Sequence, residues 1–177
     1  MLYTRKGDAG TSGLYGTKER FAKDHPLYEA LGTVDELNSL LGLCRAHAAA
    51  HDDGVSASAE LKNVQEALFI IQAELAGTDK HLTHTHIDDL ERATDHIEEL
   101  IPNPHAFVLP GATPLGALFD VARAVARRAE RAVISARATR PLAPESLAYL
   151  NRLSSLLYAL ARHATIQENG HETSPSY

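Results

Sequence analysis

From Pro26 onward, apolar residues return every three or four positions almost to the end of the chain. That spacing matches the 3.6-residue turn of an α-helix and predicts five helices. The first covers 26–50, with Leu37, Leu40, Leu41 and Cys44 on one face and Gly32, Thr33 and Gly42 small enough for close packing. The second covers 56–77; Leu61, Val64, Ala67, Leu68, Ile71 and Leu75 point inward and Gly77 ends it. The third runs from about Ile87 to Ile101, where Pro102 and Pro104 stop it. A short strand-like stretch, Phe107-Val108-Leu109, then closes on Pro110-Gly111. Thr113-Pro114 supplies an N-cap and a first-turn proline for the fourth helix, 114–138. Its inward face is expected to carry Leu118, Val121, Ala122, Val125, Ala129, Ala132 and Val133. Pro141 and Pro144 lead into the fifth, 144–168, with Leu147, Leu150, Leu153, Leu157, Leu160 and Ala164 on one stripe. The fold class expected is all-α, a five-helix bundle of up-down type.

Both ends of the chain break this pattern. Residues 1–24 are polar, with Gly7, Gly10, Gly13 and Gly16 at a spacing of three, which rules against a helix and reads as an ordered or ligand-ordered loop. Residues 169–177 are polar and read as a flexible tail. The expected organisation is therefore a binding loop (1–24), a helical domain (25–168) and a tail (169–177).

Composition narrows the function. At 177 residues, 44% hydrophobic, the chain is one domain with a real core. A net charge of −6 argues against a general nucleic-acid surface, since phosphate backbones need a basic excess. No apolar run reaches the roughly 18 residues that span a bilayer. The first ten residues lack the apolar stretch of a signal peptide. Cys44 is the single cysteine, so no internal disulfide can form. A cytoplasmic protein without nucleic-acid or membrane partners is expected.

The charge is unevenly spread. Between Asp120 and Arg162 stand eight arginines against three acids, Asp120, Glu130 and Glu145. In the fourth helix Arg123, Arg127, Arg128 and Arg131 fall on the polar side within nine residues. They repel one another unless anions intervene, and arginine suits bidentate phosphate recognition. A solvated helix face with i,i+4 pairs would give the same pattern. In the first helix Asp35 and Glu36 lie beside the apolar stripe, and an arginine of the fourth helix, from this or another subunit, is their natural partner.

The segment Thr4-Arg5-Lys6-Gly7-Asp8-Ala9-Gly10-Thr11-Ser12-Gly13 is rich in amides, hydroxyls and cations, which can wrap a polyphosphate. It is neither a Walker A loop nor a G-x-G-x-x-G turn. An ordinary surface turn remains open for it. His81, His84 and His86 have ligand-like spacing for a metal, and solvated loop histidines are the alternative. No nucleophile elbow stands out, so an enzyme of this sequence would not supply its own nucleophile.

Five blocks, in order over residues 3–164, resemble one family, the PduO-like ATP:cob(I)alamin adenosyltransferases (corrinoid adenosyltransferases). They are Thr4–Ser12; Gly32-Thr33-Val34-Asp35-Glu36-Leu37-Asn38-Ser39; Phe107-Val108-Leu109-Pro110-Gly111; Arg123 through Arg131; and Tyr149-Leu150-Asn151-Arg152-Leu153-Ser154. The chain departs from the pattern at Ala112, where glycine is common, and at Ser155, where aspartate is usual.

The resemblance implies a homotrimer with ATP and cobalamin bound between subunits and Mg2+ held largely by phosphate oxygens. Cob(I)alamin would attack the 5′ carbon of ATP and expel triphosphate, so the protein need only position the substrates and stabilise charge. By the same resemblance Thr4, Arg5, Lys6, Gly7, Thr11, Ser12 and Lys23 would wrap the triphosphate. Arg127, Arg128, Glu130, Arg131 and Asn151 would contact ATP, with Arg127 catalytic. Asp35 and Arg123 would form a salt bridge across the subunit interface. Phe107 would displace the lower axial ligand of cobalamin. A cobalamin reductase and an adenosylcobalamin-dependent enzyme are the implied partners. A helical ATP-binding or sensing protein without corrinoid activity is the alternative, and a purely oligomerising bundle a third reading.

Overall fold

The structure is a computed structural model that describes residues 3–16, 18–49, 57–102 and 106–177. Helices dominate the described residues: α1 (Pro26–Ala48), α2 (Ala57–Leu75), α3 (His84–Leu100), α4 (Pro114–Ala136) and α5 (Pro144–Gln167). Each lies within a few residues of its expected span. Residue 50, residue 56 and Pro104 lie outside the described residues. The chain opens with a small antiparallel sheet, β1 (Thr11–Gly13) paired with β2 (Arg20–Ala22), in register Ser12 opposite Phe21. Three-residue strands are too short for an alternating pattern to show in sequence, so this hairpin was not among the expected elements.

The helices pack in the order α2, α1, α4, α5, α3. The helix α5 is buried along most of its length, from Ser146 to Thr165. Leu27, Leu37, Leu41, Leu61, Leu68, Ile71, Leu150 and Leu153 are fully buried and make the core with Phe119. Cys44 belongs to this core, and burial pushes its thiol pKa up to about 11. It is a packing residue, not a nucleophile.

The ends of the helices follow from local chemistry. The hydroxyl of Thr113 accepts from the Gly116 amide at 3.3 Å, capping α4 ahead of Pro114. Gly77 has φ +92 and closes α2: its amide donates to the Glu74 carbonyl, and that of Thr78 to the Ala73 carbonyl. The buried Glu74 carboxylate accepts from the Ala143 amide and the Ser146 hydroxyl, each at 2.5 Å, and so caps the start of α5.

Three expectations change. The buried face of α4 is Leu115, Phe119, Ala122, Ala126, Ala129, Val133 and Ala136. It is rotated from the expected stripe, leaving Val121 53% exposed and Leu118, Val125 and Ala132 at the edge. The residues that decide the rotation are Phe119 and small alanines, which admit α1 and α5 closely. Phe107–Leu109 is not a strand. Its backbone gains one bond, from the Leu109 amide to the Thr173 carbonyl at 2.8 Å. That carbonyl belongs to the tail, which does not hang free. Asn169, at φ +55, ends α5, and Glu172 takes a two-pronged ion pair from Arg162 at 2.8 and 2.7 Å. Arg162 is 4% exposed, and a buried guanidinium without this partner would be costly.

Candidate functional site

The N-terminal loop is held in shape by its own side chains. Arg5 adopts φ +58, in the left-handed region that non-glycine residues avoid. The Gly10 amide donates to the Gly7 carbonyl at 3.1 Å, and the Lys23 amide to the Gly10 carbonyl at 2.9 Å. The guanidinium of Arg20 then ties the layers together. Its Nη2 donates to the Lys6 carbonyl at 2.7 Å and to the Thr11 hydroxyl at 2.9 Å. The Tyr28 hydroxyl donates to the Ser12 carbonyl, and Arg140 donates to Glu19 at 2.6 Å. The loop is thus anchored to the main body at α1 and just beyond α4.

Thr4, Lys6, Gly7, Thr11, Ser12 and Lys23 line one open cavity of about 740 Å3, together with Lys18 and Arg20. Gly7 leaves the room: a Cβ there would lie 3.3 Å from the Lys23 ammonium and from the Thr11 carbonyl. Glu19 also lines the cavity, but its carboxylate pairs with Arg140, and Lys6, Lys18 and Lys23 have no ion pair among the described residues, so the cavity holds a net positive field. Arg5 does not line the cavity; it lies over the Tyr3 ring, 5.3 Å from its centroid. Lys18 and Arg20 were absent from the sequence-based set. The cationic run Lys18-Glu19-Arg20-Phe21-Ala22-Lys23 was the available signal.

A second cationic surface lies on α4. Arg128 pairs with Glu36 of α1, which answers the expectation of an arginine for the Asp35-Glu36 pair. Arg131 donates to the Arg127 carbonyl at 2.9 Å. Asn151 of α5 donates to Glu130 at 3.0 Å, joining the two helices. The guanidinium of Arg127 has no ion pair among the described residues and is exposed. No described residue of α4 lines the loop cavity. Arg127 stands nine residues before the end of α4, about 14 Å along the axis. Within one chain the loop and this face do not share a cavity.

A third cluster surrounds Phe107, which is 80% exposed. It lines an open cavity of about 650 Å3 with Val108, Asp120, Arg123 and Tyr158. Arg123 pairs with Asp120 at 3.4 Å, not with Asp35, which is exposed. Burial raises the Asp120 pKa, and the Arg123 charge offsets part of that rise. Tyr158 receives Arg123 and Arg162 at 6.0 and 5.9 Å from its ring centroid. The sequence signal for Tyr158 was its spacing of seven from Asn151 on the exposed side of α5.

The three histidines serve separate local ends. His86 Nδ1 accepts from the Thr83 amide at 3.1 Å in a capping box, His81 Nδ1 meets the Asp79 carbonyl at 3.0 Å, and His84 faces Asp88 at 3.5 Å. Among the described residues no three His, Cys, Asp or Glu side chains are grouped to hold a metal ion. None of the described helices is long and apolar enough to cross a membrane.

Residues 2–164 match the family described as cobalamin adenosyltransferase. The chain belongs to this family. It is 38% identical over 168 residues to the corrinoid adenosyltransferase PduO of Salmonella typhimurium, covering 91% of this chain and 48% of that protein. It thus spans about half the length of that relative. A corrinoid adenosyltransferase of Bacillus subtilis is 37% identical, covering 91% of this chain and 84% of the relative. A variant PduO-type ATP:corrinoid adenosyltransferase from Lactobacillus reuteri, solved with cobalamin and ATP, superposes with a TM-score of 0.89 at 28% identity. That superposition covers 100% of both chains. The five-helix architecture with its N-terminal loop is therefore the adenosyltransferase fold.

Proposed function

We propose that this protein transfers the 5′-deoxyadenosyl group of ATP to the cobalt of cob(I)alamin, giving adenosylcobalamin and triphosphate. The observation that carries the reading is the loop cavity, where three lysines without acidic partners among the described residues line an opening together with hydroxyls and glycines. Such an opening suits a polyphosphate. In the reaction the reduced cobalt supplies the electron pair for the new Co–C5′ bond, and the C5′–O bond breaks towards the triphosphate. The chain needs no nucleophile of its own. It needs cations aimed at the departing charge.

In this reading Thr4, Lys6, Gly7, Thr11, Ser12 and Lys23 hold the triphosphate, with Arg5 closing over it. Arg127 comes from a second copy, because one chain keeps its own Arg127 away from its own cavity. Arg128, Glu130, Arg131 and Asn151 frame the nucleoside beside it. The assembly is a homotrimer in which Arg123 exchanges Asp120 for Asp35 of a neighbouring copy. Phe107, exposed beside Asp120 and Tyr158, displaces the lower axial ligand of cobalamin. Mg2+ travels with the phosphate oxygens; the grouped carboxylates and histidines needed to cage it are not found among the described residues, and no step is assigned to it. A reductase that delivers Co(I) and an enzyme that consumes adenosylcobalamin are the partners this chemistry requires, in the cytoplasm.

The test is spectroscopic. Chemically reduced cobalamin, ATP and the protein should yield the adenosylcobalamin spectrum with one triphosphate released per cobalt. Tight ATP binding with an unchanged Co(I) spectrum would leave an ATP-binding protein without this activity.

A further inference from the structure

The helices pack as a curled row whose ends are α2 and α3. These two face each other across an open cleft of about 590 Å3, within the size range of small-molecule sites. Its floor is apolar, made by Val64, Ala67, Leu90 and Ala93. Its rim is charged. Glu60 and Glu66 come from α2, and Asp89 and Arg92 from α3. No residue of the loop cavity, of the α4 arginine face or of the Phe107 cluster takes part.

One side chain reaches the cleft from a third helix. Tyr149 of α5 is 3% exposed and lines its floor. Its hydroxyl has no hydrogen-bond partner among the described residues. The ring is packed away, while the hydroxyl oxygen opens into the cleft and is left to bond what enters there. Burial raises its pKa, and the nearby carboxylates of Glu60 and Asp89 raise it further, so the hydroxyl stays protonated amid negative charge. Those acids differ in their commitments. Asp89 is paired with Arg92, and Glu66 lies 3.6 Å from Lys62. Glu60 has no ion pair among the described residues.

We propose that the α2–α3 cleft binds a small organic ammonium ion, its alkyl body on the apolar floor and its nitrogen between Glu60 and the Tyr149 hydroxyl. Charge sets the sign of the ligand. An anion would meet the uncommitted carboxylate of Glu60, while Asp89 and Arg92 offset each other; His86, which accepts from the Thr83 amide, and His96 also line the cleft. The depth sets the shape: a bare inorganic cation would leave Val64, Ala67, Leu90 and Ala93 wet, and an alkyl chain covers them. The hydroxyl oxygen accepts from the ammonium N–H, and its own proton turns towards Glu60.

Titration of the whole 177-residue chain with n-pentylammonium, followed by amide chemical shifts and thermal melting, tests this. Pentan-1-ol and pentanoate at matched ionic strength are the comparison probes. The ammonium should bind saturably, with shifts confined to α2, α3 and the start of α5, and the other two should not. Glu60→Gln and Tyr149→Phe should each weaken binding by about tenfold or more, since each removes a partner of a charged group. Glu60 lies at the partly exposed rim, so its variant folds even where the tyrosine variant does not. Equal binding of pentan-1-ol, unsaturable shifts spread over the acidic surface, or unchanged affinity in Glu60→Gln would overturn the proposal.

Discussion

The N-terminal hairpin and the α4 helix both present positive charge, but they hold it in opposite ways. On α4 the backbone is fixed by helical hydrogen bonds and by Ala122, Ala126 and Ala129, all fully buried against α1 and α5. Its arginines are then partly spent: Arg128 on Glu36, Arg123 on Asp120. The hairpin has almost no core. Its shape depends on Arg20 and Glu19, two exposed side chains that bind the loop to itself and to Arg140. Its lysines have no acidic partners among the described residues. One surface is rigid and partly neutralised; the other is stitched and charged. A polyanion meeting both would gain charge neutralisation from the hairpin and precise direction from α4.

The largest expected effect removes the direction. Arg127→Ala should lower turnover roughly a hundredfold to a thousandfold, the usual cost of losing one donor to developing charge. Gel filtration should show the same assembly as the parent protein. Near-normal turnover would sink the leaving-group role. Next comes Phe107→Ala. Turnover starting from Co(II) should fall much more than turnover from chemically supplied Co(I), and equal losses would count against the axial role. Because Phe107 is 80% exposed, its melting temperature should barely move.

A smaller effect should follow from loosening the stitched region. Arg20→Ala leaves the lysines in place but frees Lys6 and Thr11, so ordering of the loop must be supplied by ATP. KM for ATP should rise about tenfold with a lesser change in kcat. Arg20→Lys, which keeps charge but not the fork, should recover little of it. A fall in kcat at unchanged KM would contradict the positioning role. The smallest effect lies in the rigid region, as stability. At Gly116 a Cβ would sit 2.5 Å from the Thr165 hydroxyl and 3.0 Å from the Ala161 carbonyl. Gly116→Ala should cost about 1–3 kcal/mol in denaturant unfolding.

How much of this was legible in the sequence follows the same division. Helix existence and ends were readable because Thr113-Pro114, Pro144 and Gly77 carry local signals that tertiary packing did not override. The rotation of α4 was not readable. Val121 and Phe119 differ little in hydrophobicity, and only the proximity of α1 and α5 selects Phe119. The contact of the tail with the body was not legible, because Glu172 depends on Arg162, a partner ten residues earlier and buried. Lys6, Gly7, Thr11, Ser12 and Lys23 could be named as a group from motif resemblance. Arg20 could not, because its function is to bond to backbone carbonyls, which leave no trace in residue type.

The central claim is that loop and arginine face, separate within a chain, meet on one triphosphate between two copies. Subunit complementation tests it most directly. Arg127→Ala and the double variant Lys6→Ala/Lys23→Ala, each inactive alone, are co-expressed in equal amounts. Sites that pair an intact loop with a neighbour's intact Arg127 then form, and about a quarter of parent activity should return under random mixing in a closed ring. A mixture as inactive as its components would contradict the account.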